Sequence, residues 1–126
     1  MITHNIEVYD RRNIYEFDNS LMMHYYPERI IKILGGGVNK KCLELGIGND
    51  YTVEAFTKQF NKYIVLEGDG LIINRFKKEF PDSEAEIIET YFEKWTTEER
   101  FDVIILGFVL EHVDDPQMII KNINTF

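Results

Sequence analysis

Short apolar runs separated by helical patterns are the feature of this sequence that most limits its fold. FDVIILGF at 101–108 is apolar almost throughout, which is typical of a strand in a parallel sheet that is covered on both faces. KCLEL at 41–45 and KYIVLE at 62–67 predict two further strands, and AEIIE at 85–89 predicts a more amphipathic one nearer an edge. Strands that alternate with helices indicate an α/β fold with a Rossmann-like parallel sheet and flanking helices.

The segments between the runs have helical spacing. Ile30, Ile31 and Leu34 recur on one side of a predicted helix that begins near Pro27, a residue suited to a first turn. Asp50 is the predicted N-cap of the next helix. The predicted helices cover residues 27–34, 50–60, 70–80 and 116–123.

Length and composition indicate one compact domain over 1–126, with 1–24 as an N-terminal extension or lid. The formal charge of −8 disfavours nucleic acid and anionic membranes as partners. One cysteine, Cys42, allows no internal disulfide and favours a reducing compartment. Neither a membrane span nor a secretory signal is visible, so we predict a soluble cytoplasmic protein.

The segment CLELGIGNDY at 42–51 places a glycine turn directly behind the first strand. Gly46 and Gly48 allow a tight turn and a close approach of a ligand to the backbone. The amide groups that open the next helix add hydrogen-bond donors. This segment therefore predicts a nucleoside ligand.

Three segments together, in this order, resemble class I S-adenosylmethionine-dependent methyltransferases. They are ELGIG at 44–48, the acidic strand end Glu67, and FDVIILGFVLEHVDDP at 101–116. The resemblance covers about residues 25–126 and is closest to small-molecule and quinone-type members. It implies transfer of a methyl group from S-adenosylmethionine to a small-molecule or peptide acceptor, with S-adenosylhomocysteine as the product.

The resemblance also implies a cofactor site. Glu67 matches the acid that accepts hydrogen bonds from both ribose hydroxyls, and a carboxylate suits this role because it only accepts. Glu44 matches an acid beside the methionine amino group, whereas Tyr91 and Phe92 match the adenine contacts. The alternative for Glu67 is a solvated loop acid, and that for Glu44 is a capping or turn acid. Tyr91 and Phe92 could instead be ordinary core or surface aromatics. The implied cofactor-binding residues are Glu44, Gly46, Ile47, Gly48, Asn49, Glu67, Gly68, Tyr91, Phe92 and Gly107.

Two histidines need separate interpretation. His112 in LEHVDDP matches a position that takes the acceptor's proton in some family members and only shapes a loop in others. We name it as the candidate catalytic residue. His24 lies where such proteins carry a lid over the cofactor, but a structural role suits it better. The histidines and the single cysteine have no metal-ligand spacing, so no metal is predicted.

Asp50 departs from the family's pattern, because it replaces the third glycine of GxGxG. Its charge would come near the methionine carboxylate. A dinucleotide site fits less well still, since GxGxxG requires a glycine where Tyr51 stands. A nicotinamide dehydrogenase therefore ranks below a methyltransferase.

The full family fold has seven strands, and this chain supplies four, in the implied order 3-2-1-4. The fourth strand is then an apolar edge, which indicates either a longer protein or a second chain that covers it. We predict a homo-oligomer paired through this edge.

The competing function is a catalytically silent methyltransferase-like module that binds a partner. Asp50 and the missing C-terminal half of the family fold favour that alternative, and the joint presence of Glu44, Gly46, Gly48 and Glu67 favours cofactor binding.

Overall fold

The computed structural model describes residues 16–107 and 109–126. His4, Phe108 and residues 1–15 of the predicted extension lie outside this range. Four parallel strands form one sheet in the order β3-β2-β1-β4, which confirms the predicted truncated Rossmann-like fold. The strands are β1 (Lys41–Leu45), β2 (Lys62–Glu67), β3 (Glu86–Glu89) and β4 (Val103–Ile105).

Helices cover both faces of the sheet. Short 3₁₀ turns follow β3 at Phe92–Lys94 and β4 at Leu110–His112. The α-helices are α1 (Glu16–Leu34), α2 (Asp50–Thr57), α3 (Gly70–Glu79) and α4 (Pro116–Ile123). Among the residues that the structure describes, no helix is both long and apolar enough to cross a membrane.

Two hydrophobic clusters lie on opposite faces of the sheet, because successive strand residues point to opposite sides. Cys42 and Val65 face the first cluster, which contains residues of α1, α2 and α3. Leu43 and Leu66 face the second, where α4 contributes the buried Ile119. This three-layer arrangement explains why β1 and β2 are apolar along most of their length.

The parallel strands bring their carboxyl ends to one edge of the sheet. Leu45 pairs with Leu66, and Glu67 pairs with Glu89 on the neighbouring strand. The turn after β1 therefore lies beside the end of β2, where α/β folds of this kind bind ligands.

The first helix begins much earlier than predicted. It starts at Glu16 and includes Pro27, which we expected in the first turn. Proline removes one hydrogen bond from a helix interior. Packing on both sides of it offsets that loss, since Met23 before it is buried and Ile30 after it contacts the first cluster, as does Tyr26. Residues 16–24 of the predicted extension are thus part of α1.

Four other elements differ from their predicted bounds, and one of them is the third helix, which ends at Glu79 and not at residue 80. The fourth strand was predicted over 101–108, but only Val103–Ile105 is strand, because among the described residues it pairs with β1 alone and β1 turns away at Gly46. Gly107 lies inside the predicted strand but two residues beyond the observed one. The second helix ends at Thr57, not at residue 60, and β3 begins at Glu86, not at residue 85.

Candidate functional site

Gly46 starts the turn that leaves β1. Its φ of +88° lies in the left-handed region that favours glycine. A Cβ at this position would lie 3.0 Å from Val109 Cγ2 and 4.0 Å from Glu67 Oε2. Glycine is needed for both backbone angle and space, and the turn is thereby held against the end of β2.

Gly48 brings the same turn close to the segment that follows β4. A Cβ on Gly48 would lie 3.5 Å from the carbonyl oxygen of Gly107. A Cβ on Gly107 would in turn lie 3.3 Å from the hydroxyl oxygen of Tyr26 in α1. The predicted residues Gly48 and Gly107 therefore face each other, and α1 packs beside them.

Asn49, not Asp50, is the N-cap of α2. Its backbone is extended, and its Oδ1 accepts hydrogen bonds from the N–H groups of Tyr51 at 2.9 Å and Thr52 at 3.4 Å. The prediction for Asp50 was wrong by one residue. Asparagine and aspartate side chains both cap helices. The sequence therefore cannot tell which of the two residues is the N-cap, because that depends on where the backbone becomes helical.

Asp50 is buried in the first turn of α2 and forms an ion pair that the sequence did not indicate. Arg75 of α3 contacts both carboxylate oxygens, with Nε 3.1 Å from Oδ2 and Nη2 3.4 Å from Oδ1. Asp50 is 4% exposed, whereas Arg75 is 33% exposed. The charge that stands in place of the family's third glycine is therefore neutralised within the fold.

Glu67 ends β2 with both carboxylate oxygens fixed by backbone donors. The N–H of Ile47 lies 2.8 Å from Oε2, and the N–H of Asp69 lies 3.0 Å from Oε1. Burial raises the pKa of this carboxyl, while these backbone donors act in the opposite direction. Since each carboxylate oxygen has two lone pairs, Glu67 can accept further hydrogen bonds from a ligand.

The predicted aromatic residues occupy two different environments. Tyr91 is 48% exposed, and a Cβ on Gly68 would lie 3.0 Å from its ring. Phe92 packs against the second hydrophobic cluster, with Cζ 3.8 Å from the Cβ position of Gly46. Tyr91 thus offers a partly open ring beside Gly68, whereas Phe92 supports the glycine turn.

Glu44 lies inside the first hydrophobic layer. Its side chain is 3% exposed and accepts a hydrogen bond from the hydroxyl of Tyr63. Burial raises the pKa of Glu44 to about 8, although the bond from Tyr63 favours the charged form. Burial likewise raises the pKa of the Tyr26 hydroxyl and of the Cys42 thiol, and the nearby Glu44 adds to both effects.

The two histidines lie on different elements. His112 ends the 3₁₀ turn after β4 and is partly buried, with Nε2 3.7 Å from Oε1 of Glu111. His24 lies within α1, where its ring stacks on Tyr51 with the centroids 5.0 Å apart. Because Tyr51 is the second residue of α2, this contact shows that α1 packs across the start of α2.

Comparison with known proteins establishes the family. A family model described as "Methyltransferase domain" matches residues 19–126. The chain belongs to this methyltransferase domain family. The family prediction is thus confirmed. No curated protein sequence matches the chain significantly.

Solved structures of other proteins share the fold of this methyltransferase domain. N-methyltransferase NodS from Bradyrhizobium japonicum, in complex with S-adenosyl-L-homocysteine, aligns with a TM-score of 0.65 and 19% identity over 90% of this chain and 56% of its own. The DhpI–SAH complex has the same TM-score and identity over 98% and 63% of the two chains. YcgJ from Bacillus subtilis aligns with a TM-score of 0.65 and 17% identity over 79% and 44%. The chain therefore spans about half the length of these proteins.

The domain brings most of the predicted cofactor residues to one edge of the sheet. Gly46, Ile47 and Glu67 are joined there by direct contacts, and Gly48 faces Gly107. Glu44 instead points into the core toward Tyr63. The sequence patterns gave no role to three contact residues, Tyr63, Asp69 and Arg75. The GDG at 68–70 was the one available signal for Asp69. The roles of all these residues in binding remain predictions.

Proposed function

We propose that this chain binds S-adenosylmethionine and takes part in methyl transfer to a small-molecule or peptide acceptor. The contacts of Glu67 support the proposal most directly. Its carboxylate is fixed beside the glycine turn by the N–H groups of Ile47 and Asp69, and it retains lone pairs for ribose hydroxyls. The family match and the likeness in fold to proteins solved with S-adenosylhomocysteine agree with this ligand.

The chemistry requires little from the protein beyond alignment. The methyl carbon next to a sulfonium is already electrophilic, so positioning of the acceptor supplies most of the rate enhancement. A base is needed only for an acceptor that carries a proton to be lost. His112, in the turn after β4, is the residue that we propose for this step.

Titration calorimetry with S-adenosylmethionine and S-adenosylhomocysteine tests the proposed function. We expect saturable binding by the unaltered chain and its loss in Glu67→Ala. Glu84→Ala is the matched control, because Glu84 is an exposed carboxylate outside the site, and its affinity should equal that of the unaltered chain. An absence of binding heat at millimolar ligand would overturn the proposal.

The second hypothesis is a catalytically silent module. It differs from the first in that the chain would not catalyse methyl transfer. Asp50 was one of its supports, because an unpaired charge in the glycine turn would repel the methionine carboxylate. The ion pair with Arg75 weakens that support. Release of S-adenosylhomocysteine from bound S-adenosylmethionine in the presence of an acceptor distinguishes an enzyme from a silent module.

The setting of the protein is also a proposal. We infer a cytoplasmic location from the single buried thiol of Cys42. We further propose that two copies, or this chain and another, associate through β4. The charge of −8 argues against nucleic acid as the partner.

A further inference from the structure

Asp69 carries a buried carboxylate oxygen that has no partner. It is the N-cap of α3, where Oδ1 accepts a hydrogen bond from the N–H of Leu71 at 2.9 Å. Its side chain is 5% exposed, and Oδ2 has no hydrogen-bond partner in the part of the chain that the structure describes. An unsatisfied buried acceptor is costly, more so when it is charged. A partner for Oδ2 is therefore expected in the working protein.

A partner of Asp69 Oδ2 would lie close to Glu67 and Tyr91. Its backbone N–H donates to Oε1 of Glu67 at 3.0 Å, so the two residues are in direct contact. The charge of Asp69 is one of the causes that raise the pKa of Glu67. The ring of Tyr91 lies against Gly68, between the two acids in sequence. Two neighbouring acceptors thus lie beside a partly exposed aromatic ring.

Helix capping does not explain why this residue is an aspartate. An N-cap needs one acceptor oxygen, which serine, threonine or asparagine supplies equally well. Aspartate adds a second, charged oxygen next to the buried Glu67, where like charges repel each other. The cap instead fixes the side chain through Oδ1 and leaves Oδ2 held in place before any ligand binds. Such preorganisation reduces the entropy lost on binding.

We propose that Asp69 is a second ribose-binding carboxylate, whose Oδ2 accepts a hydrogen bond from one hydroxyl of the vicinal diol while Glu67 accepts from the other. This inference rests on the proposed function and names a further residue of the same site. A ribose diol offers two adjacent hydrogen-bond donors. The ionised carboxylates of Glu67 and Asp69 offer two adjacent acceptors and no donor, so the two sets are complementary. The attached base would then lie near Tyr91, whose partly exposed ring lies beside Gly68.

Two substitutions separate capping from ligand binding. Asp69→Ser retains a capping oxygen but removes the second acceptor. Asp69→Asn retains the shape and the cap, and it can place an amide donor where Oδ2 lies. Thermal unfolding without ligand measures any effect on the fold. Titration calorimetry then uses three probes, S-adenosylhomocysteine and its 2′-deoxy and 3′-deoxy analogues.

We expect both variants to bind S-adenosylhomocysteine about tenfold or more weakly than the unaltered chain, the range for a hydrogen bond to a charged group. Loss of one particular ribose hydroxyl should weaken binding by the unaltered chain and have little further effect in Asp69→Ser. Loss of the other hydroxyl should be equally harmful in both. This selective coupling is a result that a purely structural role of Asp69 does not produce.

The outcomes distinguish the two proposals. If the unaltered chain binds S-adenosylhomocysteine but both deoxy analogues lose the same affinity with and without Asp69, the inference about Asp69 is wrong and the proposed function stands. If the unaltered chain binds none of the three probes, both proposals are wrong. Should Asp69→Ser fail to fold, the coupling measured with Asp69→Asn decides the matter.

Discussion

Glu44 shows how much a single residue's surroundings change its chemistry. Its carboxyl group lies in a hydrophobic layer, and the hydroxyl of Tyr63 donates to it. Transfer of a charged carboxylate from water into such surroundings is unfavourable. Burial accordingly raises its pKa from 4.5 to about 8, so the group holds a proton at neutral pH. A protonated Glu44 is neutral, so it places no negative charge near the glycine turn.

This protonation predicts a pH-dependent stability. Between pH 4.5 and about 8, the folded chain holds a proton on Glu44 that the unfolded chain has released. The free energy of unfolding should therefore fall as pH rises through this interval, by at most about 1.4 kcal/mol per pH unit. Glu44→Gln cannot titrate, so urea unfolding across this interval should show a flatter pH dependence for it. The exposed control Glu84→Gln should keep the original slope, and equal slopes in all three proteins would contradict the prediction.

Gly46 and Gly35 form a matched pair for testing the glycine turn. Both have positive φ, +88° and +72°, but no described residue lies within 4 Å of a Cβ at Gly35, whereas Val109 Cγ2 lies 3.0 Å from a Cβ at Gly46. Gly35→Ala should cost about 1–2 kcal/mol from its backbone angle alone. Gly46→Ala should cost more in urea unfolding, and it should also weaken binding of S-adenosylhomocysteine. Equal losses of stability with unchanged binding would show that the turn tolerates a side chain.

The sequence located the candidate ligand residues better than their partners. Gly46, Gly48 and Glu67 belong to patterns that can be recognised from local spacing and the end of an apolar run. Their neighbours depend on which side of an element a residue faces after packing. Arg75 lies 25 positions after the Asp50 that it pairs with, and Tyr63 lies 19 after Glu44. No local pattern connects such positions.

The same distinction holds for whole elements. The bounds of β1, β2 and α4 agree with the predictions, because each is marked by a buried run or by a proline at its start. The start of α1 could not be predicted from Pro27, since the packing of Met23 and Tyr26 carries the helix past it. The length of β4 depends on how many of its residues pair with β1. The apolar sequence of β4 alone does not indicate this number.

The ion pair between α2 and α3 gives a prediction at the scale of elements. Arg75→Ala would leave the buried carboxylate of Asp50 without its cation, at a cost of about 1–3 kcal/mol. Asp50→Asn combined with Arg75→Ala should recover part of this loss, because the uncompensated charge is removed. Urea unfolding of both single variants and the double variant measures the coupling. Strictly additive losses would mean that the pair contributes nothing to holding the two helices together.

In the part of the chain that the structure describes, the sheet has β3 and β4 at its edges. Association through β4 was predicted from an apolar strand of eight residues, but only three residues pair with β1. A short edge offers fewer free backbone groups to a second copy. Association nevertheless remains a prediction, and light scattering after size-exclusion chromatography tests it across micromolar concentrations. A monomer at every concentration would contradict it.

Ligand binding at the carboxyl edge should stabilise the whole domain and not only the glycine turn. The two hydrophobic clusters share one sheet, so we expect them to unfold together in a single transition. A ligand that binds only the folded chain adds about 2.7 kcal/mol at a concentration one hundred times its Kd. Thermal unfolding with S-adenosylhomocysteine should therefore show a higher midpoint in the unaltered chain and in Glu84→Ala, but not in Glu67→Ala. An equal shift in Glu67→Ala would place the ligand elsewhere on the molecule, since the fixed carboxylate of Glu67 would then contribute nothing to binding.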